Sequence, residues 1–152
     1  MTALADSRDT DKMGVSPLPS TFSVPMAAAK IYKGALVVLN SAGFAVGGTT
    51  ATTHVATVGR AAETVDNSAG SAGDLNITVE AGVFKYGNSA TTDEITKVQT
   101  GAVCYVVDDQ TVAKTNGSSS RSVAGTVIKV DASTDDGGAG VWVLCAPWDK
   151  RA

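Results

Sequence analysis

From Phe22 onward the chain is punctuated: short apolar runs alternate with clusters of Gly, Ser, Thr, Asn and Asp. Runs such as KIYKGALVVLN, HVATVGRAAETV, LNITVEAGVFKYGN, AVCYVVDDQTVAK, RSVAGTVIKV and VWVLCAPW follow one another with a turn cluster after each. None carries a 3.6-residue apolar period long enough for an amphipathic helix. Many short strands at regular spacing, with turn signals between them, indicate a sandwich or barrel. The abundance of Val and Thr, which suit a pleated surface, agrees, and the 16 glycines supply turns and bends.

Side-chain parity within these runs carries more detail. In LNITVEAGVFKY, Leu75, Ile77 and Val79 share one face, whereas the large residues beyond Gly82, Phe84 and Tyr86, have the opposite parity. A one-residue slip exchanges the faces of a strand, and a β-bulge at Gly82 is the simplest repair. RSVAGTVIKV bends in the same way at Gly125, with Ile128 and Val130 alternating beyond it. Bent strands predict a small curled barrel. Asp108-Asp109-Gln110 reads as a tight turn joining two strands, and ITKV (95–98) as a further short strand. Trp142 is expected in the core.

Residues 1–21 differ from the rest. Asp6, Arg8, Asp9, Asp11 and Lys12 carry charge without an apolar stripe, and Pro17 and Pro19 stand near the end of the segment. Such a stretch buries too little surface to offset its ordering entropy, so it is expected as an arm (1–21) preceding a single domain (22–152). The opening MTALADSRDTDK has neither the basic nor the apolar region of a signal peptide, and no run is long enough to span a membrane as a helix.

The residue types that carry chemistry are few and scattered. His54 is the only histidine, and Cys104 and Cys145 lie inside apolar runs, where a free thiol packs as a small hydrophobe. The paired carboxylates Asp108-Asp109 and Asp135-Asp136 are adjacent in sequence, so within a strand they point apart. No glycine group matches a phosphate-binding fingerprint. Hence no catalytic residue, metal ligand or cofactor site is expected. With 12 basic and 15 acidic residues interspersed, the chain lacks the basic patch that nucleic-acid binding needs.

The order of the segments carries one resemblance. KIYKGALVVLNSAGFAV, VGRAAETVDNSAG, VEAGVFKYGNSA and, above all, CYVVDDQTVAKTNGSSSRSVAGTVIKVD followed by GVWV resemble the head decoration (capsid cement) proteins of tailed bacteriophages, from about Ala28 to Leu144. The resemblance implies a β-barrel or β-clip (β-tulip-like) domain that is made in the host cytoplasm and sits on the outer surface of the virion capsid. It implies two partners: the major capsid protein of the same phage, and further copies of the chain, as a homotrimer rather than a homodimer. It also implies an N-terminal arm laid along the capsid protein, with Val15, Leu18, Phe22 and Val24 as apolar anchors. Trp148, after Pro147, is the candidate oligomer-interface residue, and the flexible loops 47–53 and 68–74 are candidates to meet neighbouring subunits. A tail-associated or adhesion-type β domain is the alternative; neither reading is enzymatic.

Overall fold

The two parities of the segment from Leu75 to Tyr86 belong to two different strands. In the computed structural model, which describes residues 21–51, 53–54, 56–132 and 138–146, β7 (Asn76–Glu80) ends at Glu80 and, after Ala81, β8 (Gly82–Asn88) begins in another sheet. The expected bulge at Gly82 is therefore a change of sheet. Ile77 and Val79 are buried in one core and Tyr86 in the other, while Phe84 packs against the second. Both halves keep the alternation of a sheet with one buried face.

The first sheet has the order β1-β7-β5-β3-β4, with β1 at Thr21–Pro25, β3 at Leu36–Leu39, β4 at Ala45–Gly47 and β5 at Ala56–Ala61. Short strands β2 (Lys30–Ile31) and β6 (Val65–Asp66) pair beside it. The second sheet is a closed five-stranded barrel. It comprises β8, β9 (Val103–Val106), β10 (Thr111–Ala113), β11 (Val123–Asp131) and β12 (Gly140–Cys145). The described protein is thus mostly β, as the sequence predicts, and contains a closed barrel.

One strand serves both cores. Leu36 and Val38 of β3 face the barrel cluster with Val106, Val127 and Val143, whereas Val37 faces the other with Ile77 and Val79. A strand buried on both sides must be apolar at every position, and Ala35-Leu36-Val37-Val38 is. Fully burying one such side chain contributes about 1.5–3 kcal/mol. The halves are also tied by polar bonds: the Thr57 hydroxyl donates to Val123 O (2.7 Å) and Leu36 N–H to Asp109 O (2.7 Å).

Several local expectations resolve cleanly. The turn at Asp108–Gln110 joins β9 to β10, closed by Val107 N–H to Thr111 O (3.0 Å) and Gln110 N–H to the Asp108 carboxylate (2.9 Å). Cys104 and Cys145 are buried and are not joined in a disulfide. ITKV is not a strand: Lys97–Gln99 forms a 3₁₀ turn after Thr96, whose amide and hydroxyl both donate to Gln99 Oε1 (2.8 and 2.9 Å). The side chain of Gln99 thereby satisfies backbone that a strand would have paired. At the base of the 68–74 loop stands Asn67, which is 2% exposed. Its amide donates to Ala27 O (3.0 Å) and Ser71 O (2.9 Å).

Candidate docking surfaces

Strand β1 is the open edge of the first sheet. Met26 N–H donates to Leu75 O and Ala62 N–H to Thr78 O (both 2.9 Å), and these bonds set the pairing parity of β1 and β5 on β7. By that parity Phe22 and Val24 bond to β7. The N–H and C=O groups of Thr21 and Ser23, and the C=O of Pro25, point away from it. Pro25 stands where its missing N–H removes no ladder bond. The far edge of the sheet returns to β1 at a single place among the described residues: Met26 bridges Ala45, and Ala27 N–H donates to Ala45 O (3.0 Å). From Thr21 to Pro25 no described strand pairs on that side, and none of the five residues of β1 is charged.

This geometry places two of the sequence-designated anchors. Val24 is 8% exposed and belongs to the core of its own domain, and Phe22 packs against the same cluster half-buried. Both side chains are held inside their own sheet, so what β1 presents outward is backbone. Val15, Leu18 and Trp148 lie outside the described residues, as do Asp135 and Asp136.

The outer face of the barrel is a second surface. Val83 of β8 pairs with Leu144 of β12, Lys85 with Trp142, and Trp142 with Lys129 of β11, all pointing outward. Register slips between Val127 and Lys129, so Ile128 is extruded and 44% exposed, while Val130 turns back toward the core. Trp142 is therefore not a core residue. Val141 and Val143 fill the barrel, and strand alternation puts the indole between them outside. Of the five large apolar residues exposed among the described residues, Val83, Val98 and Ile128 lie on or beside this face. Its sequence signal was the parity of β11, obscured by the second bulge.

Beneath Trp142 lies Asp131, 5% exposed. Its carboxylate accepts from Trp142 Nε1 (2.7 Å) and is paired with Lys129 (2.7 Å) and Lys85 (3.3 Å). Hydrogen bonding from Lys129, then from Trp142, holds its pKa down at about 2. Lys85 also donates to Gly138 O. Beside this network a cleft of about 530 Å³ is lined by Arg60, Phe84 and Trp142. There the Arg60 guanidinium lies over the Phe84 ring (4.4 Å) and is paired with Glu80.

His54 borders a polar cleft of about 340 Å³ with Tyr105, Asn116, Arg121 and Ser122. Its ring nitrogens lie 3.5 Å from the Thr49 and Ser122 hydroxyls, and burial lowers its pKa, leaving it neutral at pH 7. The nearest ion pair, Arg121 with Asp93 (3.0 Å), directs its carboxylate at arginine and Thr115. Among the described residues no carboxylate hydrogen-bonds the imidazole, as an activated serine would require. Among the described residues no group of three or more His, Cys, Asp or Glu converges on a metal-sized site, and no helix is long and apolar enough to cross a membrane. No protein-family model, curated protein or solved structure matches the chain.

Proposed function

We propose that the chain is a structural, non-catalytic decoration protein that binds the outer surface of a tailed-phage head over the major capsid protein and stabilises the expanded shell. The observation that carries the reading is the open edge of β1. It is uncharged, its outward groups are backbone donors and acceptors, and residues 1–20 lead directly into it at Thr21. An extended segment of a capsid subunit can add to such an edge as a further strand, with main-chain hydrogen bonds supplying affinity. Residues 1–20 then continue along the same subunit, Val15 and Leu18 supplying apolar contacts. Two linked contacts per chain raise avidity by about 10²–10⁴ over either alone.

The test is co-sedimentation with undecorated heads of the phage that encodes the chain. Saturable binding to expanded heads, with little to unexpanded procapsids, is expected, and removal of residues 1–20 should abolish it. A Ser23→Pro substitution, which deletes an outward N–H, should weaken binding while leaving the β7 pairing intact. Absence of binding to both shells would overturn the reading and favour a tail or adhesion role.

A further inference from the structure

Two clefts meet at Gly34, and we propose that together they form a groove that binds a neutral oligosaccharide. The first, of about 420 Å³, is lined by Tyr32, Lys33, Asp109 and Gln110. The second, of about 530 Å³, is lined by Arg60, Phe84, Lys85 and Trp142. Gly34 borders both, and nothing lies within 4 Å of where its Cβ would stand, so the waist between them is open. The groove crosses the seam between the first sheet, which supplies Arg60, and the barrel, which supplies Phe84, Lys85 and Trp142. Ligand sites favour such seams, and each cleft has the size of a small-molecule site.

The lining selects the chemistry. A pyranose ring has an apolar C–H face, which stacks on an aromatic side chain, and an edge of hydroxyls, which both donate and accept. Each cleft meets both needs. In the first, Tyr32 is 58% exposed, with the Lys30 ammonium over one face of its ring (4.9 Å). Asp109, Gln110 and Lys33 beside it supply acceptors and donors. In the second, Trp142 commits its Nε1–H to Asp131 (2.7 Å), which fixes the indole and leaves its π surface to offer. The Arg60 guanidinium, stacked on Phe84 (4.4 Å), is held flat at the same wall.

Charge points to a neutral ligand. Arg60 is paired with Glu80 and Lys85 with Asp131, and Lys33 and Asp109 are of opposite sign within one cleft. An extended peptide fits poorly, because main-chain groups of the floor are already bonded. Gly34 N–H donates to Ala61 O (2.9 Å), Leu36 N–H to Asp109 O (2.7 Å) and Gly87 N–H to Gln110 O (2.7 Å). These bonds also set the floor before any ligand arrives, which lowers the cost of binding.

NMR titration of the isotope-labelled chain is the experiment, with neutral tetrasaccharides of glucose, mannose, galactose and N-acetylglucosamine as probes. At least one should saturably shift the Gly34 amide and the Trp142 indole N–H, with a Kd in the millimolar range or below. Tyr32→Ala should weaken that binding by about tenfold, the loss of one stacking platform, and Tyr32→Phe should retain it. Gly34→Asn puts a side chain into the waist, in a left-handed conformation that asparagine tolerates. It should abolish tetrasaccharide binding with unchanged far-UV circular dichroism. Leu75→Ala, exposed and outside both clefts, should bind as the wild type does. The proposal is overturned if none of the four probes shifts these resonances, or if binding survives both Tyr32→Ala and Gly34→Asn. Preference for an acidic oligosaccharide or a proline-rich peptide over all four would overturn it as well. Heads take no part in the titration, so its failure leaves the decoration reading standing, and the reverse holds.

Discussion

Gly125→Ala is expected to destabilise the protein by at least about 3 kcal/mol, more than most single substitutions outside a core cavity. The reason is backbone rather than side-chain crowding. Register slips between Val123 and Gly125 where β11 pairs with β9, and the slip presses Gly125 onto β12. A Cβ there would lie 2.1 Å from Leu144 O and 2.9 Å from Val143 Cγ1. The carbonyl cannot turn aside, because β12 is paired on both sides within a closed barrel. Gly101→Ala is the control: its φ of +86° disfavours a side chain, but nothing lies within 4 Å of the added carbon. That substitution should cost about 1–2 kcal/mol. Urea denaturation of the two variants measures both, and a Gly125→Ala loss no larger than the Gly101→Ala loss would refute the clash.

Gly125 also marks where the sequence is informative. The parity of apolar residues around it reveals a bend, and the bend is there. Gly59 has the same role in β5, with φ +146° and a Cβ position 2.1 Å from Glu80 O. Nothing in HVATVGRAAETV distinguishes it, because small residues on both sides leave no parity to break. The segment from Leu75 to Tyr86 shows the complementary limit. Parity exposes the discontinuity at Ala81–Gly82 but cannot separate a bulge within one sheet from passage between two. That choice is made by the partners, β1 and β5 for one half and β12 for the other, and these are distant in sequence.

The surfaces were less legible than the cores. Val24 alternates with Phe22 as a strand residue would, yet its apolar character fits an external anchor as well as an internal one. Pairing of β1 with β7 decides for the interior. Trp142 reads as core by size, since a buried indole is a large apolar contribution. Its position between Val141 and Val143 reads the other way, and alternation prevails over size. The lone carboxylate that seats the indole, Asp131, lies eleven residues upstream across a hairpin. Only the register of β11 on β12 brings the two together.

Asp131→Asn is expected to change the acid response of the protein more than any other single carboxylate substitution described here. In the folded protein Lys129 and Trp142 hold the Asp131 pKa at about 2, below its ordinary 3.8. A carboxyl depressed by folding contributes stability that is fully present above the unfolded value and is lost as pH falls through the folded one. The wild type should therefore lose this contribution progressively between 3.8 and about 2. The asparagine variant, unable to ionise, should be less stable at neutral pH and should lack that part of the acid limb. Its amide can still accept from the indole, but it presents no charge to Lys85 and Lys129. The two stability curves should thus converge as the pH approaches about 2. Urea titrations across this range give the curves, and the indole N–H resonance of Trp142 reports the bond directly. A gap between the proteins that persisted at the acid end would mean that Asp131 acts by shape and hydrogen bonding alone. The lysines at the margin of the barrel face would then be held by something other than its charge.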